Sequence, residues 1–173
     1  MARHHEIFTA VDFQHGDAAG IAIESLVYEG AVPVREQNRA WRARIVGAPS
    51  NQALVEVATA IRALTLVPRG EPCRLYLNDK RVLQILFGPP DSAARWDVPE
   101  ELRTALRRSV AERLVDFDLV GYRETPRLDR MASRAHDSGR DGHSPVDIRF
   151  EDYLSLTLRS AAAGGRPDSR PLS

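Results

Sequence analysis

The chain has 173 residues carrying 24 basic and 24 acidic side chains, so its formal charge is zero and no global basic field draws it onto nucleic acid or an anionic membrane. Its single cysteine, Cys73, has no partner for an internal disulfide and points to a reducing compartment. No apolar run reaches membrane length and no charged-then-apolar leader is present, so the expectation is a soluble, cytoplasmic protein of one domain plus a tail, with no membrane contact. Lys80 is the only lysine among the basic residues, a bias attributed to codon usage rather than to phosphate binding.

In chain order, His5 to Phe13 (HEIFTAVDF) is rich in strand formers and runs into the turn His15-Gly16-Asp17. A second strand follows from Gly20 to Tyr28 and ends at Glu29-Gly30. Residues 33–38 read as the rim of a hairpin. Ala40 to Val46 then alternates, with Trp41, Ala43 and Ile45 on one face and Arg42 and Arg44 on the other. Three antiparallel strands in a row are expected.

Ser50 and Asn51 are N-cap candidates for a helix over 51–66, in which Leu54, Val57, Ala58, Ile61 and Leu64 recur at helical spacing until Pro68, Arg69 and Gly70 break the pattern. Glu56 interrupts its apolar face. A short apolar strand over 73–78 contains Cys73, read as a core hydrophobe, and leads into Asn78-Asp79. Lys80 to Phe87 reads as a short helix ended by Gly88-Pro89-Pro90. Asp91 to Trp96 is expected to be a surface loop. A helix over 99–114 follows, with Leu102, Leu106, Val110 and Leu114 on one face and Arg103, Arg107 and Arg108 on a polar face balanced by Glu100, Glu101 and Glu112. A fifth strand over 115–122, a turn at Glu124-Thr125-Pro126 and a helix over 127–136 carrying Asp129 complete the compact part, which is placed at residues 1–140.

Beyond Arg140 the composition shifts to Ser, Gly, Asp and Arg, so residues 141–173 are read as a C-terminal appendage. Within 146–160, Val146, Ile148, Phe150, Leu154, Leu156 and Leu158 fall on even positions as in a strand, while Phe150, Leu154 and Leu158 also fit a helix; both readings stay open. Such an apolar segment is expected to dock, either on the sheet edge or on a protein partner such as a second copy. Residues 164–173 are expected to be disordered.

Strand, polar turn, helix is where an open α/β sheet usually carries its chemistry. With HEIFT followed by a carboxylate, SNQALVEVATAIRAL, LYLNDKRVLQIL and LDRMASRA in this order, residues 5–136 resemble the ribonuclease H family, type 1 ribonuclease H-like. The resemblance implies an α/β fold with a five-stranded mixed sheet flanked by helices. It also implies a carboxylate cluster that binds two divalent metals, Mg²⁺ or Mn²⁺, and hydrolyses the RNA strand of an RNA/DNA hybrid. Glu56 matches the family's helix glutamate and Asp129 its terminal-helix aspartate. The first-strand aspartate position is filled by Ala10, with Asp12 two residues on and on the same strand face. The fourth-strand position is filled by Asn78, with Asp79 beside it; Asn78 can offer a carbonyl oxygen but no charge. The resemblance thus nominates Asp12, Glu56, Asn78 and Asp129 as catalytic, and Asp12, Glu56, Asp79 and Asp129 as metal ligands. The family's histidine before the last helix has no counterpart in YRETPRLD, and its basic protrusion is missing.

Each nominated residue also has a plain structural use: Asp12 as a strand-end cap, Glu56 and Asp129 as acids near helix N-termini. His4 and His5 are read as solvent-exposed or disordered and are assigned no role. Two functions from different classes follow: a metal-dependent endonuclease, or a catalytically impaired ribonuclease H-like domain serving as a nucleic-acid-binding or scaffolding subunit.

Overall fold

The computed structural model describes residues 2–13, 18–46, 51–120, 125–138 and 146–149. Strands β1 (Arg3–Asp12), β2 (Ala18–Glu29) and β3 (Val32–Val46) form an antiparallel meander. Helix α1 (Gln52–Leu64) leads into β4 (Pro72–Leu77). Then come α2 (Lys80–Phe87), α3 (Ser92–Arg95), α4 (Glu100–Ala111), β5 (Leu114–Leu119) and α5 (Pro126–Ser138). The five expected strands make a mixed sheet ordered β5-β4-β1-β2-β3, in which β4 is parallel to both β1 and β5. A four-residue strand, β6 (Val146–Arg149), adds in parallel to the edge of β3. The start of the appendage therefore docks on the chain's own sheet. The remainder of that segment, the 164–173 tail and the turn at 14–17 lie outside the described residues.

The pleat sorts side chains between two layers. Odd positions of β1 and β2, such as Ile7, Val11, Ile21 and Ile23, face a core shared with α1, α2 and α4. Even positions Ala10 and Ala22, with Ala40 of β3, face α5, whose Leu128, Ala132 and Ala135 sit on them. The sequence reads α1 as amphipathic, yet it is buried almost all round, from Ala53 to Leu64, because α4 covers the side turned away from the sheet. Burying each large aliphatic side chain is worth about 1.5–3 kcal/mol, so α1 is the hub of the fold.

Several expectations are corrected. Residues 33–38 belong to β3 rather than to a hairpin rim. The turn is at Gly30, whose φ of 63° suits glycine, and Pro33 is tolerated because a bulge opposite Val27 and Tyr28 absorbs it. Residues 92–95 form a short helix rather than a loop, with Ser92 and Ala93 buried. Leu114 opens β5 and is exposed instead of lying on the helix face. Arg103 is not on a polar surface: it is 2% exposed, and its Nε donates to the Ile85 carbonyl at 2.9 Å, tying α4 to the end of α2. His5 is buried against Glu71 at 2.5 Å, and His4 stacks on Tyr28. Cys73 is a buried core residue, as read, and burial raises its thiol pKa to about 11.

Helix α5 approaches the sheet so closely that only glycine fits at position 20. A Cβ there would lie 1.8 Å from the Ala132 carbonyl oxygen and 2.8 Å from the His136 nitrogen. Strand propensity alone favours alanine over glycine. We expect the reverse: Gly20→Ala should destabilise the protein by at least about 2 kcal/mol, read as a lower denaturant midpoint, because helix backbone cannot yield as a side-chain tip can. An unchanged midpoint would mean that α5 is not seated in this way.

Candidate active site

Chain leaves β1 toward β2 on one side and β4 toward β5 on the other, so the C-terminal ends of the parallel neighbours β1 and β4 flank a topological switch point, where open α/β sheets place ligands. Three elements deliver acids there. Helix α1 starts at this end, its N-cap Asn51 accepting from Leu54 N at 2.8 Å, and brings Glu56 from the α1 layer. Strand β4 ends at Leu77, which releases Asn78 and Asp79 from the strict alternation of the pleat. Helix α5 brings Asp129 in its first turn from the opposite layer.

Asn78 and Asp129 meet directly. Asn78 Nδ2 donates to Asp129 Oδ1 at 3.1 Å, and Thr125 Oγ1 donates to Asp129 Oδ2 at 3.4 Å. Burial raises the Asp129 pKa, and these two hydrogen bonds pull it back. Having spent its amide nitrogen, Asn78 presents Oδ1 as a buried acceptor without a hydrogen-bond partner. An orphaned buried oxygen of this kind costs about 1–3 kcal/mol and calls for a cationic or donor ligand.

Glu56 is 4% exposed. Burial, followed by the charge of Asp79 and with Asp129 adding to it, pushes its pKa up to about 8; a hydrogen bond from Gln52 and the charge of Arg81 act in the opposite direction. Desolvation dominates, and the negative charges of Asp79 and Asp129 add to it. Asp79 is the N-cap of α2: its Oδ1 accepts from Arg81 N at 2.8 Å, and its carboxylate is gripped by the Arg81 guanidinium, with Nε 2.9 Å from each oxygen and Nη2 bonded to Oδ2.

The first strand stands differently. The β1–β4 register pairs His5 with Cys73 and Phe8 with Tyr76. Carried two residues further, the same offset sets Ala10 level with Asn78 and leaves Asp12 two residues beyond, about 6.6 Å along the strand. Ala10 is 1% exposed and packs under α5. Asp12 ends β1 opposite Gly20, half-buried. The structure thus joins Asn78 to Asp129 by a hydrogen bond, ties Asp79 to Arg81, buries Glu56 in the α1 layer and leaves Asp12 half-buried at the end of β1. Among the described residues, no group of three or more His, Cys, Asp or Glu side chains is placed to hold a metal ion.

Arg81 was missed from sequence, although an aspartate followed two residues later by arginine at a helix start is a recognisable cap-and-pair signal. A depression of about 550 Å³ opens beside Asp79, lined by Asn78, Asp79, Lys80, Arg81, Trp96 and Leu119. Trp96 lies 5.7 Å from the guanidinium carbons of both Arg81 and Arg95.

No family model and no curated protein matches the chain. Solved structures do. LC9-RNase H1, described as a type 1 RNase H with the type 2 active-site motif, is similar over 99% of this chain and 99% of its own, with 14% identity and a TM-score of 0.55. The N-terminal RNase H domain of a Mycobacterium tuberculosis protein, solved as a fusion with maltose-binding protein, matches 91% of this chain and 98% of its own at 14% identity and a TM-score of 0.52. LC11-RNase H1 in complex with an RNA/DNA hybrid matches 77% of this chain and 96% of its own at 18% identity and a TM-score of 0.50. The fold is ribonuclease H-like, in agreement with the sequence resemblance. Among the described residues, no helix is long and apolar enough to cross a membrane.

Proposed function

We propose that this chain is a metal-dependent endonuclease of the ribonuclease H type that hydrolyses the RNA strand of RNA/DNA hybrids. The observation that carries the reading is the direct hydrogen bond between Asn78 and Asp129 at the switch point of a ribonuclease H-like sheet, with a buried oxygen of Asn78 left without a donor. The donors Glu56, Asn78 and Asp129 are all oxygen, which suits a hard cation such as Mg²⁺ or Mn²⁺. When bound, such an ion supplies a water of lowered pKa and stabilises charge that develops on phosphate oxygens. Glu56 and Asp129 would hold it from the two layers of the domain, Asn78 would contribute its neutral oxygen between them, and Thr125 would keep Asp129 aimed. Asp12, two residues beyond Ala10, is the carboxylate nearest that position on the first strand. Lys80 and Trp96 flank the depression in which a nucleic-acid strand would lie, offering a cation for phosphate and an aromatic face for a sugar or base.

The test is cleavage of a labelled RNA/DNA hybrid by the full chain with Mg²⁺, with Mn²⁺ and with a chelator, single-stranded RNA and duplex DNA serving as controls. Metal-dependent cuts confined to the RNA strand of the hybrid are the expected result. Hybrid binding without cleavage under either metal would make the chain a nucleic-acid-binding or scaffolding domain instead.

A further inference from the structure

At the end of the sheet remote from Asn78, the core face changes character. Along β2 the odd positions Ile21 and Ile23 are buried aliphatics, and the next is Ser25, 5% exposed. Opposite Ser25 lies Gln37 of β3, and one rung further out Val27 stands between His5 of β1 and Arg35 of β3. Residues directly opposite one another share a face, so these side chains converge where α1 has ended and the chain turns through Leu66 and Pro68. They line a cavity of about 460 Å³, within the usual size of small-molecule sites. Five residues of β1, from His5 to Ala10, set it roughly 16 Å along the strand from the level of Asn78.

Two buried polar side chains in this cavity lack partners. Ser25 makes no side-chain hydrogen bond among the described residues. His5 Nε2 is 2.5 Å from Glu71 Oε2; a carboxylate accepts, so Nε2 carries the proton, while Nδ1 is buried without a partner. A plain core would continue the aliphatic pattern here, because an unpaired buried polar atom is destabilising. Val27, Leu66 and Pro68 supply apolar wall, and Gln37 an amide that both donates and accepts. At the rim Arg3 is spent on Glu29 at 2.8 Å, whereas Arg35 is exposed and pairs with no acid among the described residues.

We propose that this cavity binds a nucleoside monophosphate, its base edge meeting Ser25, Gln37 and His5, its ring lying on Val27, Leu66 and Pro68, and its phosphate taking the Arg35 guanidinium. A base edge carries donors and acceptors side by side, as a serine hydroxyl, an amide and an imidazole nitrogen require. A purely apolar ligand would leave all three unpaired, and an inorganic anion would leave the aliphatic wall uncovered. The arginine fork matches phosphate geometry. The site is separate from the candidate active site and does not rest on the nuclease reading.

The test titrates the full chain with each of the four common 5′-nucleoside monophosphates, followed by calorimetry and by amide shifts in nuclear magnetic resonance. Inorganic phosphate and the free nucleosides serve as controls. At least one nucleotide should bind with shifts centred on His5, Ser25 and Gln37, and phosphate or nucleoside alone should bind at least about tenfold more weakly. Arg35→Leu, a surface change, should weaken nucleotide binding about tenfold or more, and Ser25→Ala severalfold, with shift dispersion showing each variant folded. Inorganic phosphate binding as tightly as the nucleotides would overturn the proposal, and so would unchanged affinity in Arg35→Leu. Shifts confined to Asn78, Asp129 and their neighbours, or no binding of any of the four at millimolar concentration, would also sink it. None of these results bears on the nuclease reading, which hybrid cleavage decides.

Discussion

Asp129→Asn should lower hybrid cleavage about a thousandfold or more, with little change in stability. The substitution preserves size, the seat of α5 on Ala10, Ala22 and Ala40, and a carbonyl oxygen able to accept from Thr125. What it removes is the negative charge. Losing one carboxylate of two from a site for a divalent ion forfeits several kcal/mol of metal affinity and transition-state stabilisation, and about 4 kcal/mol corresponds to roughly a thousandfold in rate. The measurement is single-turnover cleavage of a hybrid at saturating Mn²⁺, paired with a denaturant midpoint. A variant within tenfold of the unaltered protein would remove Asp129 from the chemistry and leave it as the first-turn acid of α5.

The second large effect is on stability and its dependence on pH. Glu56 has a folded-state pKa of about 8 against an ordinary 4.5, so the folded chain holds a proton there that the unfolded chain has lost across this interval. Where the folded state binds more protons, stability falls as pH rises. The contribution is therefore fully present below about 4.5, is lost progressively up to about 8, and changes no further above that. The whole loss is roughly 4–5 kcal/mol at ~1.36 kcal/mol for each pH step. Glu56→Gln, uncharged at every pH and close in shape, should flatten this slope and make the metal-free protein more stable by a few kcal/mol at pH 8. Guanidinium unfolding at pH 5, 7 and 9 without divalent ions checks it. Saturating Mg²⁺ should flatten the slope of the unaltered protein as well, because a ligand that binds only the folded, ionised form restores what deprotonation took away. Parallel pH profiles for the variant and the parent would show that Glu56 is not the buried acid responsible.

Much of the domain is legible locally. The period of Leu54, Val57, Ala58, Ile61 and Leu64, the cap at Asn51 and the short apolar run that becomes β4 each follow from residues close in the chain, and the structure matches them closely. What escapes is what depends on distant partners. His5 is buried because Glu71, 66 residues away, meets it at the other end of β4. Arg103 is buried because α2 ends with a carbonyl in its path. The first half of β3 carries Pro33 and exposed Val34, Arg35 and Glu36; its membership of the sheet comes from β2, which is long enough to pair with it, and not from any pattern of its own. The site divides in the same way. Glu56 and Asp129 could be nominated from family resemblance, whereas the diversion of Asp79 to Arg81 is a matter of side-chain geometry. The sequence reading matched Asn78 to the fourth-strand position, but only the structure shows that its nitrogen bonds Asp129 while its buried oxygen has no hydrogen-bond partner.

The two borders of the sheet bear on how the chain behaves when crowded. An open strand edge invites backbone pairing with another copy, and the usual defence is charge, proline or a bulge along the border. Here one border is β5, where the exposed Leu114 and Leu119 bracket Asp116 and Asp118. The other is β3, where β6 covers the four residues from Ala43 to Val46, and the rest of β3, which pairs outward with no other strand among the described residues, carries Pro33, its bulge and Arg35, Glu36 and Arg39. Stacking copies border to border would strip water from aspartates on one flank and straighten a proline-bearing kink on the other. Charge and proline along these borders thus oppose the edge-to-edge pairing that a twelve-residue and a fifteen-residue strand would otherwise invite.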